Sequence, residues 1–113
     1  MLKNAKAKRS RNERRSRDIF LKAGCDVVKA GGSLGLFDLI VIDPYGKVVG
    51  IQVKTNGWPG RVETEGLLKW AMGRPTATVL IHRWDDRARA PRVKRVVFSV
   101  ESMKWGWEDV SDV

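Results

Sequence analysis

The stretch Gly31-Gly32-Ser33-Leu34-Gly35-Leu36-Phe37-Asp38-Leu39-Ile40-Val41-Ile42-Asp43-Pro44-Tyr45-Gly46-Lys47-Val48-Val49-Gly50-Ile51-Gln52-Val53-Lys54-Thr55 reads as two strands joined by a turn. Segments 37–43 and 47–54 are rich in Val, Ile and Leu and are bounded by Gly or Pro, the pattern of buried strands. Between them, Asp43-Pro44-Tyr45-Gly46 has the residues a type I turn prefers. Asp suits the first position, Pro presets φ at the second, and Gly46 can take the left-handed conformation that closes a three-residue hairpin loop. Such a loop fixes a register. With Asp43 facing Lys47, Asp38 lies opposite Gln52 and diagonal to Lys54, so these three side chains share one face of the hairpin. A two-residue loop would put Asp38 on the other face, so the reading depends on Gly46.

A carboxylate, an amide and an ammonium gathered at the ends of two apolar strands are costly to bury without partners. Two readings follow. In one, this is the solvent-facing end of an ordinary hairpin, where Asp and Lys are common. In the other, it is the group that metal-dependent phosphodiester hydrolysis needs. Asp38 and the Gln52 side-chain oxygen would then be ligands for a hard cation, and Lys54 would orient or deprotonate the attacking water or stabilise the phosphorane charge.

An Asp at the start of one strand followed by (Asp/Glu)-x-Lys on the next is the signature of the PD-(D/E)XK nucleases, and Asp38 with Gln52-Val53-Lys54 resembles it. Within that superfamily the chain resembles the archaeal-type Holliday junction resolvases from about Ser10 to about Lys104. The likeness lies in a basic amino-terminal helix bearing Glu13, a Gly32-Ser33 loop before the Asp, and a helix opening Val62-Glu63-Thr64-Glu65-Gly66-Leu67-Leu68 after the Lys, followed by a further strand. The resemblance implies an α/β fold, a single domain whose central mixed β-sheet of about five strands is flanked by helices, the restriction-endonuclease-like core. It implies that Glu13, Asp38, Gln52 and the Val53 carbonyl hold Mg²⁺, with Mn²⁺ as a possible substitute. Lys54 would position the hydroxide, and Ser33 would touch the scissile phosphate. The enzyme would nick branched double-stranded DNA as a symmetric homodimer, because two strands must be cut at related positions. Gln52 departs from the pattern, standing where the family has an acidic residue. The site is therefore one negative ligand short, and weak metal binding is expected.

With 113 residues there is room for one domain and one core. No apolar run approaches the roughly 20 residues of a spanning helix, and no signal-peptide pattern opens the chain. A cytoplasmic protein with no membrane association is expected, in the host cytoplasm if the chain is virus-encoded. Cys25 is the lone cysteine and His82 the lone histidine, which excludes an intrachain disulfide, cysteine zinc sites and histidine-pair catalysis. Both read as packed residues. Residues 1–17 hold eight basic side chains against Glu13 alone, +7 of the net +9. Lys8, Arg9, Arg11, Arg14 and Arg15 are the candidate phosphate contacts of this segment, through counterion release and long-range attraction.

Taken in order, residues 1–9 read as a basic disordered arm, 10–104 as the nuclease domain and 105–113 as a Trp-containing acidic tail. A helix is expected from a cap at Ser10 to a stop at Gly24. Its spacing sets Glu13, Arg17 and Phe20 on one face. Glu13 is then either an inward ligand or the partner of Arg9 or Arg17 in an exposed ion pair. Residues 25–30 form a short strand, and Gly31, Gly32 and Gly35 make the next loop pliable. Ser33 there either bonds a phosphate or caps the turn. Trp58, in a turn-rich loop, either stacks on nucleic acid or pins its loop to the domain. A helix over 64–72 and strands over 76–83 and 95–100 follow, and the loop that begins at Trp84-Asp85-Asp86 carries Arg87, Arg89, Arg92, Lys94 and Arg95, a second basic cluster at the edge of the last strand. Two further functions stay open: a PD-(D/E)XK nuclease acting on other DNA structures, and a catalytically degenerate nucleic-acid-binding module.

Overall fold

Gly46 takes φ +88°, and its N–H donates to the Asp43 carbonyl at 2.9 Å. The Asp43 N–H donates to the Lys47 carbonyl at 2.9 Å, and Asp43 Oδ1 accepts from the Tyr45 and Lys47 N–H groups at 2.8 and 2.9 Å. The turn therefore sets the register its residues predict, with Leu39 opposite Ile51 and Ile42 opposite Val48. Asp38 steps out of that register: its N–H donates at 2.9 Å to the carbonyl of Ile51, the residue paired with Leu39. Residues 38 and 39 together therefore oppose Ile51 in a bulge, and Asp38 is not set opposite Gln52 as the turn led us to expect.

The computed structural model describes residues 2–30 and 35–110. Its elements are α1 (Leu2–Lys22), β1 (Asp26–Lys29), β2 (Leu39–Ile42), β3 (Val48–Thr55), α2 (Arg61–Met72), β4 (Thr78–Trp84), β5 (Arg92–Ser99) and β6 (Lys104–Val110). The strands form one mixed sheet in sequence order, β1 to β6. Every neighbouring pair is antiparallel except β3 and β4, which are parallel. That exception follows from connectivity: parallel neighbours need a crossover, and α2 supplies it.

The two helices cover opposite faces of the sheet. On one face Leu39, Val41, Ile51, Val53 and Trp84 form a core against Ile19 and Phe20 of α1. On the other, Val79, Ile81 and Val96 pack with Phe37 and with Leu67 and Ala71 of α2. The alternation of residues 39 to 42 and 50 to 53 sends odd positions to α1 and even positions to α2. Gly50 makes room for Phe37 on the α2 side, since a Cβ there would come within 2.6 Å of the Phe37 ring.

Helix α2 and strand β5 each begin three residues earlier than expected, at Arg61 and Arg92, and two elements differ more from what the sequence led us to expect. Helix α1 begins at Leu2, where a disordered arm to residue 9 and a cap at Ser10 were expected. Lys, Arg and Ala are good helix formers, and no Gly or Pro interrupts the run before Gly24, which takes φ +86° just beyond the helix. The expected tail is strand β6 as far as Val110, a sixth strand antiparallel to β5. Trp105 and Trp107, two residues apart, suit a half-buried edge strand, and both pack against the α2-side core.

Candidate active site

The hairpin end gathers the expected residues. Asp38 precedes β2, and its Oδ2 accepts the Val53 N–H at 2.7 Å. Gln52, only 6 % exposed, points to the α2 face. Its Nε2 donates to the Leu36 carbonyl at 3.2 Å and to Glu63 Oε2 at 2.9 Å. Turning the amide over would set its oxygen against two acceptors, so this hydrogen-bond pattern fixes its orientation. Gln52 Oε1 is left buried with no partner. The Lys54 ammonium, on the same face, lies 3.0–3.1 Å from the two Glu63 carboxylate oxygens.

Glu63 is the site residue that sequence reasoning passed over. It stands third in α2, entered through Gly60, which makes no side-chain cap. A Glu at this position commonly folds back on its own helix end. Here its oxygens instead take Gln52 and Lys54 from the sheet, and the positive helix end favours its charge. The available signal was an acidic residue in the first turn of the helix that follows the Lys.

Glu13 lies on the sheet-facing side of α1, largely buried, with Lys29 Nζ 4.0 Å away. Burial pushes its carboxyl above the usual range, the charge of Asp38 pushes it further, and Lys29 and Arg9 oppose this. Burial likewise raises Asp38; the Val53 hydrogen bond, Lys54 and Arg9 lower it, and Glu63 raises it. Glu13 thus feels the field of Asp38, while Arg17 pairs with Asp18 instead. Val53 contributes through its backbone, its side chain being buried in the α1-side core. Ser33 lies outside the described residues.

Cations flank this centre. Register aligns Lys54, Arg83 and Arg92 across β3, β4 and β5, with Gln52, Ile81 and Lys94 in the next row. Trp58 lies over these rows, with Arg83 and Arg92 5.4 Å and Lys94 4.5 Å from its ring centroid. It also packs against the α2-side core, so it pins its loop and caps a cationic strip at once. Arg83 is paired with Asp85 at 2.8 Å. On α1, Arg9, Arg11 and Arg14 are exposed, whereas Lys8 reaches Asp86 at 3.2 Å. Arg15 lies 3.9 Å over the Trp84 ring and donates to the Ala88 carbonyl at 2.6 Å, which makes it a packing residue here.

His82 is structural. Trp84 Nε1 donates to Ser16 Oγ at 2.8 Å, which leaves the Ser16 hydroxyl to donate to His82 Nδ1, 2.9 Å away. Burial lowers the His82 pKa to about 4, so it is neutral at physiological pH. Cys25 packs at the edge of the α1-side core.

The fit to a divalent metal is one of donor type. Among the described residues no three His, Cys, Asp or Glu side chains converge to enclose an ion. The expected set, however, is two carboxylates, an amide oxygen and a carbonyl, all hard donors suited to Mg²⁺. The orphaned Gln52 oxygen is a buried donor that a cation would satisfy. In kind, the residues fit.

A mixed sheet with helices on both faces and an Asp, an amide and a Lys at the end of its central hairpin defines a restriction-endonuclease-like fold. No protein-family model matches the chain, and no curated protein matches it. Among solved structures it is similar to Hjc of Archaeoglobus fulgidus, a Holliday junction resolvase from an archaeal hyperthermophile, with 25% identity, a TM-score of 0.58 and 74% of each chain covered. That likeness supports a nuclease of this kind. Among the described residues no helix is long and apolar enough to cross a membrane.

Proposed function

We propose that the chain is a metal-dependent endonuclease that nicks four-way DNA junctions as a homodimer. The observation that carries this reading is the hairpin-end group, in which Asp38 is held by the Val53 N–H, Gln52 keeps a buried oxygen unpaired, and Lys54 lies on the same face. It stands on a fold similar to that of a resolvase. Asp38, Glu13, the Gln52 oxygen and the Val53 carbonyl would hold Mg²⁺ or Mn²⁺. The ion, when bound, supplies Lewis-acid polarisation of the phosphoryl oxygen and a water of lowered pKa.

The remaining work belongs to the chain. Val53 fixes the direction of the Asp38 carboxylate through its N–H. Lys54 presents an ammonium that holds the attacking water or the charge developing on the phosphate. Arg9, Arg11 and Arg14 on α1 and Arg92 and Lys94 on β5 bind the phosphate backbone on either side, and Trp58 stiffens the second group. Four-way junctions have two strands to cut, so two copies of the site, related by two-fold symmetry, match the substrate.

The test is a gel assay of a synthetic four-way junction beside a matched linear duplex, with Mg²⁺ or Mn²⁺, using wild type, Asp38→Asn and Lys54→Ala. Paired symmetric nicks in the junction alone, lost in both variants, are expected. Equal cutting of the duplex would transfer the chain to a nuclease of other DNA structures. Gln52 in the acidic position favours one rival, a degenerate binding module. That rival predicts tight, salt-sensitive binding with no cuts under either metal.

A further inference from the structure

We infer that Glu63 is a metal ligand, supplying from the first turn of α2 the negative charge that Gln52 does not provide. The inference rests on the metal-nuclease reading above. Gln52 offers a cation one neutral oxygen where the resemblance calls for a carboxylate. A carboxylate is already in contact with that amide: Glu63 Oε2 accepts from Gln52 Nε2 at 2.9 Å, and Lys54 Nζ lies 3.0–3.1 Å from the same group. An ionised carboxylate has about four lone-pair sites, so these contacts do not exhaust it.

One geometric feature points to a cation rather than to an ordinary helix-end ion pair. Gln52, 6 % exposed, keeps Oε1 buried and unpaired while its amide nitrogen grips Glu63. The Lys54 contact alone does not explain that. A divalent ion held by Glu63 beside the amide would satisfy the oxygen. Mg²⁺ commonly takes one or two carboxylates and completes its octahedron with water. Glu63 would add a carboxylate to the donors proposed above.

The experiment is calorimetric titration of the full chain with Mn²⁺ alone, comparing wild type, Glu63→Gln, the exchange variant Gln52→Glu with Glu63→Gln, and Glu65→Gln as control. Circular dichroism checks that each variant is folded. Glu63→Gln keeps a hydrogen-bonding side chain and loses the charge, and its Mn²⁺ affinity should fall about tenfold or more. The exchange variant should regain that affinity, and Glu65→Gln should match wild type. Wild-type affinity in Glu63→Gln would overturn the inference alone, leaving Glu63 as a residue that merely positions Lys54. Weak binding in the exchange variant would also overturn it, because position 63 would then matter for structure and not for charge. No Mn²⁺ binding by wild type would overturn the metal-nuclease reading and this inference with it.

Discussion

Burial raises the Asp38 carboxyl above its ordinary range even though the Val53 N–H, Lys54 and Arg9 all pull it down, and Glu63 adds to the rise. A raised acid pKa means that the native chain binds the proton more readily than the unfolded one, so stability falls as pH rises between the two values. At neutral pH the ionised group is therefore a cost. Asp38→Asn keeps an acceptor for the Val53 N–H and removes the charge. Its melting temperature should exceed that of wild type at about pH 7, and the difference should vanish below the ordinary carboxylate range, at about pH 3. Melts at both values check this, and a lower melting temperature at neutral pH would show that the charge supports the fold. Gln52 and Lys54 were legible as neighbours on one face because a turn of readable chemistry set the register of β3 and strand period set the face, whereas the bulge that takes Asp38 out of that register left no mark in the spacing. Glu63 was not legible either. Its approach depends on the path of the chain from Asn56 to Gly60, which begins with Asn56 at φ 58° and crosses between layers.

At the scale of elements, α1 shows where reading by apolar periodicity runs short. The apolar residues Ile19 and Phe20 mark its packed face correctly near the end of the helix. Further back, the buried stripe is polar. Asn12 is 4 % and Ser16 0 % exposed, and Arg17, expected on that face, is exposed. These polar residues are tolerated because partners distant in sequence satisfy them: Thr55 Oγ1 accepts from Asn12 Nδ2 at 2.8 Å, and Ser16 joins His82 to Trp84. No sequence window contains those pairs. The same contacts hold Glu13 against the sheet, so the docking of α1 links stability to the site. Ser16→Ala leaves His82 Nδ1 and Trp84 Nε1 buried without partners and should cost about 1–3 kcal/mol for each orphaned group. Urea unfolding measures the loss. Activity should drop as well where α1 carries Glu13, and a Ser16→Ala protein of wild-type stability would show that the network contributes nothing.

Over the whole molecule, the net charge of +9 is arranged around an acidic centre. Arg9 acts on Glu13 and Asp38 from the α1 side. Across the sheet, Arg92 and Lys94 flank Trp58 beside the row that begins at Lys54. The second group was visible in the sequence as a run of basic residues, but placed in a loop. It is strand β5 that orders it, by setting Arg92 and Lys94 on one face and turning Arg95 toward Glu108 of β6. A phosphate backbone laid over the centre would meet positive charge on both sides. Each phosphate neutralised on duplex DNA contributes about 0.9 to the slope of log affinity against log salt concentration. Replacing Arg92 and Lys94 together by Ala should therefore reduce the magnitude of that slope by about 1.8. Fluorescence anisotropy on a four-way junction with EDTA present, over a range of KCl, gives the slope without cleavage. Trp58 keeps its place against the core in this variant, so near-UV circular dichroism should change little. A slope equal to that of wild type would leave α1 as the source of DNA affinity, with the β5 cations serving only to hold the Trp58 loop.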